Sequence, residues 1–464
     1  MVEIKKNFDY TVFISGMTHE GQGVGRIDNF PIFIDGAILE EKVEIKIIKV
    51  NKSYAYGKLI SIVEASKERV KPFCEVYDRC GGCSLQHMTY EAQLSFKTNT
   101  VKEALKRIGR FENIIVHDTL GMHSELNASE KSQSGHRPFN YRNKAQYPVG
   151  EVNNQAVTGF YAKRSHRIIE SDVCGIQDVA SNEIRKVFKE FLIEKNISTY
   201  NEIEGKGLVR HLVTRVGFRT GEIMVVVVLN GKDLPFKDQL VSSLVSRVQA
   251  IKSVFLNVNT NNTNVILGDK NIKIYGDDVI TDYIGKYKFR ISPLSFFQVN
   301  PIQTEVLYAK ALEYAGLTGS EVVFDLYCGI GTISLFLSQK AKKVYGVEVI
   351  EDAVADARKN AQLNGVDNVE FIAGEVEKVI PQVKADVVVI DPPRKGCDEA
   401  LLEHLVKMEP DRIVYVSCNP ATLARDLMYL VERGYRVEQV QPVDMFPWTG
   451  CVECVVLLTN LTSK

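Results

Sequence analysis

The chain lacks any apolar run approaching the roughly 18 to 20 residues that a membrane-spanning helix needs, so no membrane partner is expected. Its opening residues, MVEIKKNFDY, lack the apolar stretch of a secretory leader, and a cytoplasmic location is expected. It has almost no net charge, 57 Lys and Arg against 58 Asp and Glu. Bulk charge therefore names no nucleic-acid partner. It lacks an even number of cysteines. Nine in a cytosolic-looking chain point away from structural disulfides and toward metal binding or catalysis. It also lacks a full GxGxxG fingerprint after its glycine-turn strand, which argues against a pyrophosphate-binding dehydrogenase. With 45% hydrophobic and 25% charged residues, the 464-residue chain is expected to be globular, and it is too long for one core.

Three regions follow from patterning. Residues 1–64 read as short strands (YTVFIS, FPIFI, KVEIKIIKV) broken by GQGVGRIDN and IDGA, which predicts a small antiparallel barrel or sandwich. Lys46, Lys49, Lys52 and Lys58 interleave with Tyr54 and Tyr56. That mixture suits single-stranded RNA, and equally an edge strand guarded by lysines. Residues 65–277 mix strands (GEIMVVVVLN, SVFLNVN) with helices (SNEIRKVFKEFLIEK) as an α+β region, and the polar stretch 121–136 reads as a loop. Residues 131–167 hold seven cations (Lys131, Arg137, Arg142, Lys144, Lys163, Arg164, Arg167) against Glu151 alone, and 206–219 add Lys206, Arg210, Arg215 and Arg219 without an acid. Such excess suits phosphate contacts, or a solvated face balanced by acids elsewhere. From residue 278 to 464, apolar strands alternate with helices, which predicts a doubly wound, Rossmann-like parallel sheet.

In that last region the strand ending in Asp325-Leu326-Tyr327 runs into Cys328-Gly329-Ile330-Gly331 and then a helix. Glycines there allow close approach of a ligand to the backbone. The next strand ends in Glu348, a carboxylate placed either to accept from ribose hydroxyls or to cap the following helix. An adenosine cofactor without a pyrophosphate, such as S-adenosyl-L-methionine, fits this pattern. The third strand ends in Asp391-Pro392-Pro393-Arg394. Amino-methylating enzymes place an aromatic after such a Pro-Pro, and Arg394 argues against that chemistry.

The fourth strand ends in Ser417-Cys418-Asn419-Pro420, before a helix whose N-terminus could lower a thiol pKa. A thiolate there has a definite use. C5 of uracil is a poor nucleophile, and addition of sulfur at C6 turns C5 into an enolate carbon that can attack a methyl sulfonium. A base must then remove the C5 proton. Glu453, at the start of the last strand and the edge of the sheet, is the candidate. Alone, Cys418 could be a small buried apolar residue and Glu453 a surface acid; the pairing carries the assignment.

Cys74-x5-Cys80-x2-Cys83, with Gly81 and Gly82 between the last two, has metal-ligand spacing, and Cys174 is the one other cysteine outside the last region. Four thiolates suit zinc or a [4Fe–4S] cluster, and spacing does not separate them.

Together these residues resemble the bacterial RNA uracil-C5 methyltransferases, especially those acting on 23S rRNA. The resemblance covers nearly the whole chain. It implies that residues 1–64 are a TRAM domain, an OB-like RNA-binding barrel. CEVYDRCGGC implies a [4Fe–4S] cluster on Cys74, Cys80, Cys83 and Cys174. SFFQVN, DLYCGIGT, GVE and DPPRKG imply S-adenosyl-L-methionine contacts at Gln298, Tyr327, Gly329, Glu348 and Asp391. SCNPATLARDL implies the nucleophile Cys418, with Glu453 as base. The family has histidines where Trp448 and Cys451 stand here. Its transfer RNA members typically lack barrel and cluster, which points to 23S rRNA. The same reaction on tRNA, a non-catalytic RNA-binding factor, a nicotinamide oxidoreductase and a cytosine-C5 methylase are the competing readings.

Overall fold

A computed structural model describes residues 4–122, 138–376 and 383–461. The loop read at 121–136, apart from its first two residues, lies outside them, as do Lys131 and Arg137.

Five strands, Asp9–Met17, Gly23–Ile27, Phe30–Asp35, Lys42–Val50 and Ala55–Glu64, close into a barrel. Alternate residues point inward, so Val12, Ile14, Ile32, Ile34, Val43, Ile45 and Ile47 fill its interior. Closure leaves no free edge: Lys42–Val50 pairs on both sides. The lysines of that region therefore do not guard an edge strand.

A six-stranded sheet forms the middle, in the order Lys270–Gly276, Ile251–Val258, Ile223–Leu229, Val209–Val216, Lys144–Val152, Gln155–Thr158. Every residue of Val209–Val216 and Ile223–Leu229 is buried. Helices Val179–Glu194 and Lys237–Arg247 cover one face. On the other, Val213, Met224, Val226 and Val228 share one core with the residues of the last sheet. This two-sided burial explains the unbroken apolar run MVVVVL.

The last sheet has eight strands: Val369–Ala373, Lys343–Glu348, Val322–Leu326, Val387–Ile390, Arg412–Ser417, Glu453–Asn460, Tyr435–Val443 and Ile115–Val116. The first five are parallel, and Glu453–Asn460 runs antiparallel to both its neighbours. Chain order reverses between Val322–Leu326 and Val387–Ile390, which opens a crevice beyond the carboxyl ends of those strands. The pair Ile115–Val116 adds to the far edge, and helix Tyr90–Arg107 packs on helix Pro420–Val431, so the segment after the barrel contacts the last sheet. Asn-Pro opens two helices, Pro301–Ala315 and Pro420–Val431. In each the Asn side chain accepts a hydrogen bond from the first turn, and Pro occupies a position with no N–H to satisfy. Among the described residues no helix is long and apolar enough to cross a membrane.

Candidate active site

The crevice collects residues that are far apart in sequence. Tyr327 follows Leu326, Glu348 ends its strand, Asp391 follows Ile390 and Cys418 follows Ser417, all at carboxyl ends of parallel strands. Glu453 starts the antiparallel strand, opposite Val443, while Cys454 pairs with Ser417. The reversed direction brings Glu453 to the same end of the sheet as Cys418. Contrary to expectation, its strand lies inside the sheet and not at an edge. Between Val443 on one strand and the Ser417–Cys418 end of the other, Glu453 is only 5% exposed.

The glycine turn is shaped by left-handed backbone at Tyr327 (φ 65°), Gly329 (φ 53°) and Gly331 (φ 83°). A β-carbon on Gly331 would lie 2.7 Å from Phe371. Tyrosine in this conformation carries a strain of about 1–3 kcal/mol, which persists only where the surroundings impose it. Glu348 accepts from Gly329 N at 3.1 Å and from Ile350 N at 3.0 Å, so it ties the turn to the next helix. Gln298 is buried, and its carbonyl accepts from Asn143 Nδ2 at 2.9 Å.

The electrostatics are acidic. Burial raises the carboxyls of Glu453 and Asp391 well above the usual range; Asp391 adds to the rise at Glu453, and Arg394 opposes it. Burial pushes the Cys418 thiol up to about 11, with Glu453 and Asp391 adding to the effect. The helix N-terminus was expected to lower it. Desolvation and two facing carboxylates outweigh the helix dipole, whose influence fades within a turn. Arg394 is held beside Cys418 by hydrogen bonds from Asn419 Nδ2 and Thr422 Oγ1 to its carbonyl, at 3.1 and 3.3 Å.

Two residues of this region were missed. Asp325 is fully buried and leaves Oδ1 without a partner, while Oδ2 accepts from Ser334 Oγ at 2.5 Å. Burial raises its carboxyl to about 7, and Asp391 and Glu348 add to the rise. An acid within the apolar run VVFDL was the available signal. Phe296, two residues before Gln298, is the other: it is 69% exposed and lines the cavity around Cys74, Cys80, Cys83 and Cys174, and no sequence signal separates it from the buried Phe297.

Cys74, Cys80, Cys83 and Cys174 line one cavity of about 400 Å³, together with Arg142, Lys144 and Arg185. Burial raises the thiols of Cys80, Cys83 and Cys174, and the neighbouring cysteines push in the same direction. The site therefore favours thiolates only with positive charge among them. Among the described residues no three His, Cys, Asp or Glu side chains converge closely enough to hold one metal ion.

The basic runs divide. Lys163, Arg164 and Arg167 are exposed on one hairpin. Arg210 and Arg215 are buried instead: Arg210 donates to the carbonyls of Asn259 and Asn261, and Arg215 to those of Pro293 and Ser295. Arg219 pairs with Glu305 at 2.6 Å. These three serve the fold: backbone carbonyls and one acid, invisible in a local charge count, hold them, although Nε of Arg210 and of Arg215 has no partner. A cleft of about 1320 Å³ runs from the barrel (Arg26, Phe33) past Asn99 and Arg107 to Asn419 and Pro420, next to Cys418.

Family models match three stretches of the chain: a TRAM domain over residues 9–60, a methyltransferase small domain over 303–413, and tRNA (uracil-5-)-methyltransferase over 377–461. An uncharacterized RNA methyltransferase of Clostridium tetani is 53% identical, covering 100% of this chain and 99% of its own. One from Clostridium acetobutylicum is 52% identical over 99% of both. The crystal structure of Pyrococcus abyssi tRNA (uracil-54, C5)-methyltransferase in complex with S-adenosyl-L-homocysteine superposes with a TM-score of 0.77 at 28% identity, covering 97% of this chain and 100% of that one. With barrel, crevice and full-length relatives in agreement, the chain belongs to the TRAM-containing RNA (uracil-5-)-methyltransferase family.

Proposed function

We propose that this protein transfers a methyl group from S-adenosyl-L-methionine to C5 of a uridine in folded RNA, with 23S rRNA as the first substrate, through a covalent adduct on Cys418. One observation carries this reading: a thiol and a buried carboxylate meet at the end of the sheet that also bears the glycine turn and Glu348. In this reading residues 1–64 and the exposed cations Lys163, Arg164 and Arg167 hold the RNA, 65–277 carry the thiol site, and 278–464 do the chemistry. The target base is extruded into the crevice, as base-modifying enzymes require.

S-adenosyl-L-methionine supplies an electrophilic methyl on a cationic sulfur. Glu348 would accept from its ribose hydroxyls, and Gln298, Tyr327, Gly329 and Asp391 would complete its pocket. A crevice floored by Asp325, Glu348 and Asp391 suits that positive charge. Cys418 gives its thiol proton to solvent, and Sγ bonds to C6 of uracil as the π pair of the C5–C6 double bond moves into the enolate of C5, C4 and O4. The enolate collapses as C5 takes the methyl group, and S-adenosyl-L-homocysteine leaves. Glu453 removes the C5 proton, its electron pair re-forms the C5–C6 double bond, and the C6–S bond breaks to expel Cys418 as the thiolate. A raised carboxyl matches this task, because a stronger base accepts a carbon-bound proton more readily.

We read the thiol cavity as the site of a [4Fe–4S] cluster that Cys74, Cys80, Cys83 and Cys174 would hold. Its donors are all sulfur, it is wider than one ion needs, and Arg142, Lys144 and Arg185 offset the charge of four thiolates. The group would cross-link the surrounding segments; the methyl transfer needs no redox step.

The test is methyl-labelled S-adenosyl-L-methionine with anaerobically purified protein and unmodified 23S rRNA, followed by digestion to nucleosides. Label in 5-methyluridine is the expected result, and label on any other nucleoside removes the uracil mechanism. A second reading, the same reaction on transfer RNA, draws on the Pyrococcus abyssi enzyme. Its likeness extends over 97% of this chain, so a full-length architecture does not by itself separate the two RNAs. Parallel assay of tRNA transcripts distinguishes them.

A further inference from the structure

Trp448 is the one tryptophan of the sequence. It lies in the segment joining Tyr435–Val443 to Glu453–Asn460, five residues before Glu453. Its backbone is left-handed, φ 69°. A bulky residue takes that conformation only where its surroundings impose it.

Those surroundings come from the thiol site and from helix Tyr90–Arg107, whose Gln93 Oε1 accepts from Trp448 N at 3.1 Å and whose Tyr90 ring lies 5.8 Å away. The Trp448 carbonyl accepts from Ser84 N at 2.9 Å and Leu85 N at 3.0 Å, directly after Cys83. Gly450 N donates to Ser84 Oγ at 3.1 Å. The indole ring meets Phe73, the neighbour of Cys74, edge-on at 5.1 Å. Phe73 in turn lies against Gly175, the neighbour of Cys174, so closely that a β-carbon there would sit 2.8 Å from the ring. Cys83 and Cys174 pack on the small core that Trp448 forms with Met122, Tyr141 and Ile176. The indole N–H donates to the Pro138 carbonyl at 2.6 Å. Three of the four cysteines thus have a chain neighbour in contact with Trp448 or with the ring packed on it.

We propose that Trp448 is a positioning residue that locks the loop leading into Glu453 onto the four-thiol site, so that the state of that site sets the placement of the catalytic carboxylate. An indole has a large apolar ring and a single N–H, which suits packing better than proton transfer. The assignment rests on Glu453 as the base.

The test uses the full chain. Hydrogen exchange of residues 446–453 and the emission of the single tryptophan are followed before and after anaerobic removal of iron. Exchange should rise about tenfold and emission shift to the red, while strand Val322–Leu326 keeps its protection. Gly175→Ala keeps all four thiols but displaces Phe73. It should change both readouts with iron retained, and lower kcat more than about threefold while S-adenosyl-L-homocysteine binds within about twofold of wild type. Unaltered exchange and emission in Gly175→Ala overturn the proposal, as does a moved loop with unchanged kcat. Protein that never binds iron removes the cluster, and Gly175→Ala then decides the coupling. Wild-type protein that never methylates RNA removes the function reading, and with it the role of Trp448 in placing a base, while exchange still reports the mechanical link.

Discussion

Two groups of cysteines meet opposite surroundings in this molecule. The four around the cavity share it with Arg142, Lys144 and Arg185, and with one another. Cys418 faces Glu453 and Asp391, with Arg394 as the opposing charge. Burial raises thiols in both places. What differs is how each can be relieved. In the proposed reading the four thiols would be relieved by a metal group, which replaces protons on several sulfurs together. A lone thiol between carboxylates is relieved when those carboxylates are neutralised or when a cation enters the crevice. On the proposed function, the same residue type would cross-link in one place and do covalent chemistry in the other.

The contrast is broken most directly by substitution. Cys418→Ala should abolish methylation of labelled RNA while S-adenosyl-L-homocysteine still binds by calorimetry. Residual turnover would end the covalent scheme. Glu453→Gln should lower kcat by about 10²–10⁴-fold and let a protein–RNA adduct accumulate on denaturing gels. Native-rate turnover would remove Glu453 as the base. Cys83→Ser should act first on the other group: bound iron is lost, Tm falls by roughly 5 °C and turnover falls as the loop before Glu453 loosens, while Cys418 still forms the adduct. A variant that kept its iron would dissolve the proposed ligand set.

How far these roles were legible depends on the range of the interactions. The strands of the last sheet announce themselves as apolar runs between helices, and Cys418 and Asp391 fall at strand ends that the doubly wound pattern turns toward a ligand. The antiparallel direction of Glu453–Asn460 has no local signature, so Glu453 was placed at an edge when it lies inside the sheet. Arg210 and Arg215 read as phosphate contacts because the carbonyls that bind them, at Asn259, Asn261, Pro293 and Ser295, are about 50 to 80 residues away. Trp448 stood out as a departure from a resemblance. Its contacts with Ser84 and Pro138 span more than 300 residues, and only the fold reveals them. Patterns that repeat within a turn or a strand can be read from sequence, whereas pairings made by packing cannot.

The smallest expected effect is also the most discriminating, because it asks whether carboxylates hold Cys418 back. A like charge beside a thiol disfavours the thiolate, so removing that charge lowers the thiol's pKa. Burial and the Glu453 and Asp391 carboxylates push Cys418 up to about 11. Above pH 8.5, where Glu453 is increasingly ionised, Glu453→Gln should therefore hold more Cys418 as thiolate than wild type. Iodoacetamide should alkylate it about threefold faster, read peptide by peptide by mass spectrometry. The thiols of the cavity should show no such change. At pH 6, where the Glu453 carboxyl is mostly protonated, the difference at Cys418 should vanish. A substitution that destroys turnover would then make the nucleophile more reactive, an outcome that loosened packing would not confine to alkaline pH. Equal alkylation rates at every pH would mean that desolvation alone sets the thiol, and the electrostatic half of the contrast would fall.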